Sequence, residues 1–170
     1  MSKTFSMLLF SAVLLCGIGL YSILGQAQDE PVTSTNIAEQ QLAQMLEKYK
    51  GDVIYLDFWA SWCVPCRKSF PWMNAMQEKY QDQGFRVITI NLDVDKAFAK
   101  DFLKDHPAEF PIIYDPSGKL GEQYQLKGMP SSFVIGRDGS VVENQVGFFE
   151  DKVDEYEQKI VEILSLEATN

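Results

Sequence analysis

Hydrophobic residues occur in this chain in two arrangements: uninterrupted runs of strand length, and stripes with helical spacing. The runs at residues 53–59 and 85–91 are apolar nearly throughout, as expected for strands that are covered on both faces of a parallel sheet. A helical stripe over residues 36–49 precedes the first run, with Asn36 as its predicted N-cap. A second helix is predicted between the two runs, over residues 64–81.

The second half of the chain contains shorter elements that are separated by turn residues. The pattern predicts a helix over residues 95–105, an extended segment over 110–114, a turn over 115–118, a short helix over 120–124, strands over 131–135 and 141–146 around an Asp-Gly turn, and a final helix over 151–166. This order of elements predicts an α/β domain in which a parallel core is completed by an antiparallel hairpin.

The N-terminal residues differ in kind from the rest of the chain. Lys3 precedes an apolar run over residues 5–24 that contains no charged side chain and ends in Gly25-Gln26-Ala27. This pattern is typical of an export signal, with Lys3 on the cytoplasmic side. A run of this length also suffices to span a bilayer, so residues 1–27 are predicted to be either a signal peptide cleaved after Ala27 or a retained membrane anchor.

The exported part is predicted to begin with a polar linker over residues 28–35, followed by one domain over residues 36–170. This organisation places the domain in the periplasm or another extracytoplasmic compartment, free or tethered to the membrane. Cys16 within the apolar run is either a small apolar residue of that segment or a lipid-attachment cysteine. Leu15 argues against lipidation because it is bulkier than the residue such processing prefers.

Composition narrows the possible function classes. The formal net charge of −9 and the pI of about 4.6 argue against a nucleic-acid partner. Beyond the apolar run the only cysteines are Cys63 and Cys66, and one close pair in an exported domain favours catalysis over a structural disulfide framework. A zinc site is disfavoured because there is no second Cys-x-x-Cys and His106 is the one histidine. Asp93 and Asp95 are interpreted as solvated loop residues and not as a metal site.

Cys63-Val64-Pro65-Cys66 lies at the predicted junction between a strand and a helix. A cysteine at the start of a helix is stabilised as a thiolate by backbone N–H groups and by the helix dipole. The thiolate is the nucleophile in thiol–disulfide exchange, and two thiols at this spacing can close a disulfide and reopen it. The motif therefore predicts redox catalysis by exchange, which needs no metal or organic cofactor.

Further motifs accompany this pair. They are Asp57-Phe58-Trp59-Ala60 before it, Pro71 five residues after Cys66, Tyr114-Asp115-Pro116-Ser117-Gly118-Lys119, and Gly128-Met129-Pro130 before the last two strands. Together they resemble the thioredoxin superfamily and, within it, the exported TlpA/ResA-like thiol–disulfide oxidoreductases. The resemblance covers nearly everything after residue 36. It implies a thioredoxin fold: a central mixed sheet flanked by helices, with a helix-and-strand insertion between Asn91 and Gly128.

The resemblance also implies roles for individual residues. Cys63 is expected to be the more exposed, attacking cysteine, and Cys66 the resolving one. Asp57 occupies the place of the buried acid that assists proton transfer at the resolving cysteine, although many TlpA/ResA-like proteins have a neutral residue there. The competing interpretation of Asp57 is an acid at the end of a strand that faces solvent.

Pro130 is expected to be the cis-proline that faces the disulfide, and an ordinary trans proline in a turn is the alternative. The backbone of Met129 would then face Cys63 and bind an extended substrate. Trp62 is expected to form a wall of the site, whereas Trp59 is interpreted as core packing.

Three functions remain open at this point. The first is the reduction of disulfides in substrate proteins outside the cytoplasm, with a membrane protein as the electron donor implied by the family. Apocytochrome c thiols, a copper-site assembly protein and stress-damaged proteins are all open substrates. The second is the reverse reaction, disulfide formation, because Val64-Pro65 between the cysteines does not decide the redox potential. The third is a copper carrier that uses both sulfurs and Met129.

Overall fold

The structure of the protein is a computed structural model that describes residues 34–166. The predicted signal or anchor over residues 1–27 and the linker up to residue 33 lie outside the described residues. The helices are α1 (Ser34–Lys48), α2 (Val64–Tyr80), α3 (Lys96–Asp105), α4 (Lys119–Gln123) and α5 (Val153–Leu166). The strands are β1 (Val53–Trp59), β2 (Phe85–Asn91), β3 (Ile112–Tyr114), β4 (Ser131–Ile135) and β5 (Val141–Val146). Single 3₁₀ turns follow α2 at Gln81–Gln83 and precede α5 at Glu150–Lys152.

Strand β1 lies at the centre of a sheet with the order β3-β2-β1-β4-β5. β1 and β2 are parallel, with Val53 opposite Phe85, and β3 extends the parallel side beyond β2. β4 is antiparallel to β1, and β5 is antiparallel to β4, so the hairpin completes the other side of the sheet. The predicted mixed sheet with a parallel core and an antiparallel hairpin is confirmed.

Both faces of the sheet are covered, which explains why β1 is apolar nearly throughout. Successive side chains of a strand point to opposite faces. One buried cluster joins alternate residues of β1 to α1 and α4, and it includes Ile54, Leu56, Phe58, Ala38, Leu42 and Leu120. The other cluster joins the remaining side chains of β1 to α2, α3 and α5, and it includes Tyr55, Trp59, Cys66, Phe70, Phe102 and Ile160.

Three segments of the chain converge at one edge of the sheet. β1 and β2 are parallel, so both end there, at Trp59 and Asn91. β4 runs in the opposite direction and begins there, with Ser131 opposite Phe58. The cysteine loop, the segment after β2 and Pro130 therefore meet at this edge, which is termed the carboxyl edge.

The ends of several elements differ from the prediction by one or two residues, and α1 and β3 show the physical reasons. α1 begins at Ser34, so Asn36 lies inside the helix, and the last two residues assigned to the linker are helical. Ser, Thr and Asn are all favoured near helix starts, so Ser34-Thr35-Asn36 does not specify which residue comes first. β3 begins at Ile112 because Pro111, inside the predicted extended segment, has no N–H to contribute to a sheet. Within residues 34–166, no helix is long and apolar enough to cross a membrane.

Candidate active site

Cys63 and Cys66 form a disulfide at the first turn of α2, with 5.3 Å between their Cα atoms. Cys63 is the N-cap of the helix, in extended backbone conformation, and its Sγ accepts a hydrogen bond from the Cys66 N–H at 3.3 Å. Pro65 lies in the first turn, where the missing N–H has no helical partner to lose. Cys63 is 3% exposed and Cys66 is fully buried, so only Cys63 presents any surface to an incoming sulfur.

The loop that leads into the cysteines is held by a carboxylate from the end of β2. The Ser61 N–H donates to Asp93 Oδ2 at 3.0 Å and to Oδ1 at 3.2 Å, and the Ser61 hydroxyl donates to Oδ1 at 2.8 Å. Asn91 completes the arrangement by donating its side-chain amide to Asp93 Oδ2 at 2.8 Å. Asp93 is buried, so its interpretation as a solvated loop acid was wrong, whereas Asp95 is exposed and caps α3 through the Ala97 N–H.

Pro130 directly precedes β4, and the peptide bond between Met129 and Pro130 is cis. The predicted cis bond is confirmed, and the alternative of a trans turn proline is excluded. The Pro130 carbonyl accepts a hydrogen bond from the Gly147 N–H at 2.8 Å, which ties the start of β4 to the end of β5. Met129 is half-buried and contacts both core clusters, so its backbone lies at the boundary between the core and the surface.

Asp57 is only 1% exposed and lies in the middle of β1, opposite Thr89 of β2 and Ser132 of β4. Successive side chains of a strand point to opposite faces, so Asp57 lies on the same face of β1 as Tyr55 and Trp59. That face packs against the cluster that contains the two cysteines. Burial raises the pKa of Asp57 to about 7, and a hydrogen bond from Ser132 opposes part of that rise. The predicted burial is confirmed, and the solvent-facing alternative is excluded.

Two residues that the sequence analysis did not identify complete the surroundings of Asp57. The Ser132 hydroxyl donates to Asp57 Oδ1 at 2.6 Å, and the Tyr55 hydroxyl donates to Ser132 Oγ at 2.8 Å. Burial, followed by the charge of Asp57, raises the pKa of Tyr55 far above its ordinary value, so Tyr55 remains a protonated donor. The alternation of β1 places Tyr55 on the Asp57 side, but Ser132 is 75 positions from Asp57 and no local pattern identifies it.

A groove of about 730 Å³ has Trp62, which directly precedes Cys63 in the chain, as part of its wall. Trp62 is 65% exposed although it directly precedes Cys63, whereas Trp59 is fully buried against Phe70 and Phe102, as predicted. The groove is lined by Trp62, Leu92, Gly118, Gly121, Glu122, Gln125, Leu126, Lys127, Gly128 and Met129. It therefore combines residues from beside the cysteine pair with residues of the predicted insertion and of the segment before β4.

Exposed apolar side chains also occur in the segments that meet at the carboxyl edge. Val64 in the first turn of α2 is 60% exposed, and Val94, directly after the buried Asp93, is 85% exposed. Phe98 at the start of α3 is 59% exposed. The rim of the candidate site thus includes exposed apolar side chains, and its floor includes buried polar ones. Among residues 34–166, no group of three or more His, Cys, Asp or Glu side chains is arranged to hold a metal ion.

Comparison with known proteins agrees with this arrangement. The model of the Redoxin family matches residues 26–160. The thiol–disulfide oxidoreductase ResA of Bacillus cereus is 35% identical over 116 residues, which cover 68% of this chain and 67% of ResA. A crystal structure described as a thiol:disulfide interchange protein DsbE from Chlorobium tepidum is 50% identical, with a TM-score of 0.68, and the match covers 70% of this chain and 84% of that chain.

A third relative is the pneumococcal exposed lipoprotein thioredoxin Etrx1 from Streptococcus pneumoniae. It is 33% identical with a TM-score of 0.59, and the match covers 69% of this chain and 89% of that chain. The family predicted from the motifs and the predicted enzyme class are both confirmed by these similarities. The chain belongs to the Redoxin family, and it is a TlpA/ResA-like thiol–disulfide oxidoreductase of the thioredoxin superfamily.

Proposed function

We propose that the protein reduces disulfides of substrate proteins outside the cytoplasm through the Cys63/Cys66 dithiol. The observation that supports this proposal most directly is the pairing of a cysteine at a helix N-terminus with a buried carboxyl group on the same face of the sheet. The first group favours a thiolate that attacks, and the second can accept a proton near neutral pH. Metals and organic cofactors have no part in the proposed chemistry.

The first step begins from the reduced protein, with two thiols in place of the disulfide. The Cys63 thiolate attacks one sulfur of a substrate disulfide, the substrate S–S bond breaks, and its other sulfur leaves as a thiolate. Cys63 and the substrate are then joined in a mixed disulfide. Cys63 is the attacking cysteine because it caps α2 and has the only exposed surface of the pair.

In the second step Cys66 resolves the mixed disulfide. The Cys66 thiol gives its proton to the Asp57 carboxylate, and its sulfur attacks Cys63 Sγ. The bond between Cys63 and the substrate breaks, the substrate sulfur leaves as a second thiolate, and the Cys63–Cys66 disulfide forms. The substrate has gained two electrons and the protein has lost two, so an external dithiol must reduce Cys63–Cys66 before the next cycle.

The substrate segment is proposed to bind in extended conformation between Trp62 and the Met129–Pro130 backbone. Extended peptides are commonly held by backbone groups, with side chains seated in neighbouring pockets. The groove beside Trp62 offers such a pocket, and its apolar lining by Leu92 and Leu126 suits apolar side chains near the substrate cysteine.

Export rests on the apolar run at residues 5–24, and the exposed-lipoprotein relative from Streptococcus pneumoniae supports an extracytoplasmic site of action. We propose that residues 1–27 direct export, as a cleaved signal or as an anchor, and that a membrane dithiol protein supplies the electrons. An alkaline phosphatase fusion after residue 36 should be active in a bacterial host. A fusion of normal abundance that lacks activity would exclude export.

The test of the catalytic proposal is trapping through Cys66→Ser. This variant should accumulate mixed disulfides at Cys63, whereas the Cys63→Ser variant, its matched control, should form none. Mixed disulfides at Cys66 in the control would reverse the assignment of the two cysteines. The redox potential of the isolated protein then decides the direction: a value well below that of glutathione supports a reductase, and a value above it supports an oxidase.

A further inference from the structure

Three buried polar side chains form a continuous hydrogen-bonded chain on the cysteine-facing side of the sheet. The Tyr55 hydroxyl donates to Ser132 Oγ at 2.8 Å, and the Ser132 hydroxyl donates to Asp57 Oδ1 at 2.6 Å. All three residues are buried. A buried polar group without a hydrogen-bond partner is unfavourable. Each of these side chains is therefore held in the orientation that keeps its hydrogen bond.

The direction of the hydrogen bonds follows from the chemistry of the groups. An ionised carboxylate can only accept, so the Ser132 hydroxyl must use its single proton on Asp57. Ser132 Oγ can then only accept a second hydrogen bond, and the Tyr55 hydroxyl donates that bond. The other carboxylate oxygen, Asp57 Oδ2, is buried and has no hydrogen-bond partner among the described residues.

We propose that Ser132 and Tyr55 are positioning residues for the resolution step, because the Ser132 hydroxyl, held by Tyr55, occupies Asp57 Oδ1 and leaves Oδ2 to take the proton from Cys66. The inference rests on the proposed function, in which Asp57 is the base. It adds two residues that take no part in making or breaking a bond to sulfur. They act by holding the carboxyl group in one orientation and by stabilising its charged form.

The surroundings of Asp57 make the Ser132 hydrogen bond important for the pKa of this carboxyl group. Thr89 of β2 and Ser132 of β4 flank Asp57 in the sheet, and neither carries a charge. The titratable groups of the same buried cluster are Tyr55 on β1, the two cysteines at the start of α2, and Tyr80 on α2. Tyr114 of β3 packs against this cluster, and Tyr156 of α5 interacts with Tyr55. Burial raises the pKa of Asp57 and the Ser132 hydrogen bond lowers it, so removing the hydroxyl raises this pKa further.

The expected effect is a change in the pH profile of resolution. The resolving rate should increase with pH as Asp57 ionises, with its midpoint near the pKa of Asp57. Ser132→Ala should move that midpoint upward by about one pH unit or more, the shift expected from losing one hydrogen bond to a charged group. Tyr55→Phe should move the midpoint upward by a smaller amount. In this variant Ser132 still donates to Asp57, but Ser132 Oγ no longer accepts a hydrogen bond from Tyr55.

Other residues of the protein provide matched controls for both variants. Ser131 is also buried at the start of β4, but its hydroxyl donates to the Gly128 carbonyl at 2.8 Å and takes no part in the Asp57 chain. Ser131→Ala should therefore leave the midpoint in place. Ser132→Thr keeps a hydroxyl at the same atom and should restore the midpoint. Tyr124→Phe is the control for Tyr55→Phe, since Tyr124 packs on Phe58 on the opposite face of the sheet.

The experiment is a stopped-flow reaction of the reduced protein with an aryl disulfide whose thiolate product is coloured. Attack by Cys63 releases the first coloured thiolate, and resolution by Cys66 releases the second, so the two steps are recorded as separate phases at each pH. The carboxyl ¹³C resonance of Asp57, followed through the same pH range in the reduced protein, reports its ionisation independently of activity. Tyr55→Phe keeps the test informative if Ser132→Ala does not fold.

The outcomes separate this inference from the proposal on which it rests. If Asp57→Asn leaves the midpoint of the resolving phase unchanged, Asp57 is not the base and both fail. If Asp57→Asn removes the midpoint but Ser132→Ala and Tyr55→Phe shift it no more than their controls, only the positioning role is overturned. Upward shifts in both the resolving phase and the Asp57 resonance, with the attack phase unchanged, support it.

Discussion

The two edges of the central sheet differ in where their charged side chains lie. At the carboxyl edge, large apolar side chains such as Trp62, Val94 and Phe98 face solvent, while Asp57 and Asp93 are buried. Apart from tyrosines, the buried polar side chains among the described residues are Asp57, Ser69, Thr89, Asn91, Asp93, Asp115, Ser131 and Ser132, and most of them lie in or next to the halves of the strands that meet at this edge. Burying polar groups is unfavourable unless they are bonded, so a concentration of them marks a region that is built for something besides stability.

The opposite edge, where β1 and β2 begin and β4 ends, is termed the amino edge. Its charged side chains lie at the surface and bond to loops. Arg137 donates to the Gly51 carbonyl at 2.8 Å and to the Gln83 carbonyl at 3.0 Å. Arg86 pairs with Asp52 at 3.0 Å, and both side chains keep about a quarter of their surface in solvent. Charged groups here hold loops together at the surface, so we expect them to matter for stability and not for exchange.

The most severe test of this comparison is Asp57→Asn. Positioned acid–base groups contribute about 100-fold to 10,000-fold to proton-transfer steps, so resolution by Cys66 should slow within that range while attack by Cys63 changes little. The two phases of the reaction with a chromogenic disulfide measure both steps. Arg137→Met at the amino edge should leave both phases unchanged in the folded protein. Equal slowing of both phases by Asp57→Asn would contradict the assigned role.

The same carboxyl group should make stability depend on pH. The pKa of Asp57 is raised from 3.8 to about 7 on folding, so the folded state holds a proton that the unfolded chain has lost between those values. Stability should therefore fall as pH rises from about 4 to about 7, by roughly 4 kcal/mol from this group alone. Urea unfolding of the oxidised protein across this range measures the fall. Asp57→Asn should flatten it, and Asp52→Asn at the amino edge should not.

The anchor of the cysteine loop gives a smaller effect that combines stability and activity. Asp93→Ala removes the acceptor for the Ser61 N–H and hydroxyl, which are partly buried, and for the buried Asn91 amide, so all three donors lose their partner. The free energy of unfolding should fall by about 3 kcal/mol, and exchange by the folded fraction should slow as the loop loses its position. Asp52→Ala, which breaks a partly exposed ion pair, should cost about 1 kcal/mol or less and leave exchange intact. Full exchange activity in Asp93→Ala would show that the loop is held by other contacts.

The smallest effect is expected at the apolar rim. Trp62→Ala removes an exposed wall of the groove, so stability should change by no more than about 0.5 kcal/mol, while KM for a peptide disulfide should rise about tenfold. Val141→Ala is the control, because Val141 is comparably exposed but lies on β5 at the hairpin turn. A similar KM for the two variants would mean that the exposed apolar side chains at the carboxyl edge have no special part in binding.

Local sequence information was sufficient for the elements and for the reactive pair. The runs that became β1 and β2 were recognisable because strands covered on both faces are apolar throughout. Cys63 and Cys66 carry a spacing that suits a helix start, and Gly128-Met129-Pro130 carries a family signature. These features depend on residues that are neighbours in the chain, which is why the order of elements, the class of sheet and the dithiol could be predicted from local patterns.

The polar residues that surround the pair could not be predicted in this way, because residues far apart in the chain bring them together. Tyr55 and Ser132 are 77 positions apart, and they meet because β4 pairs antiparallel to β1 with Tyr55 opposite Val134. Asp93 reads as a loop acid in the sequence, yet it is buried because the parallel strands β1 and β2 bring Ser61 beside it. Hydrogen bonds between side chains of different strands depend on strand order and register. Neither can be predicted from the local pattern of hydrophobic and polar positions.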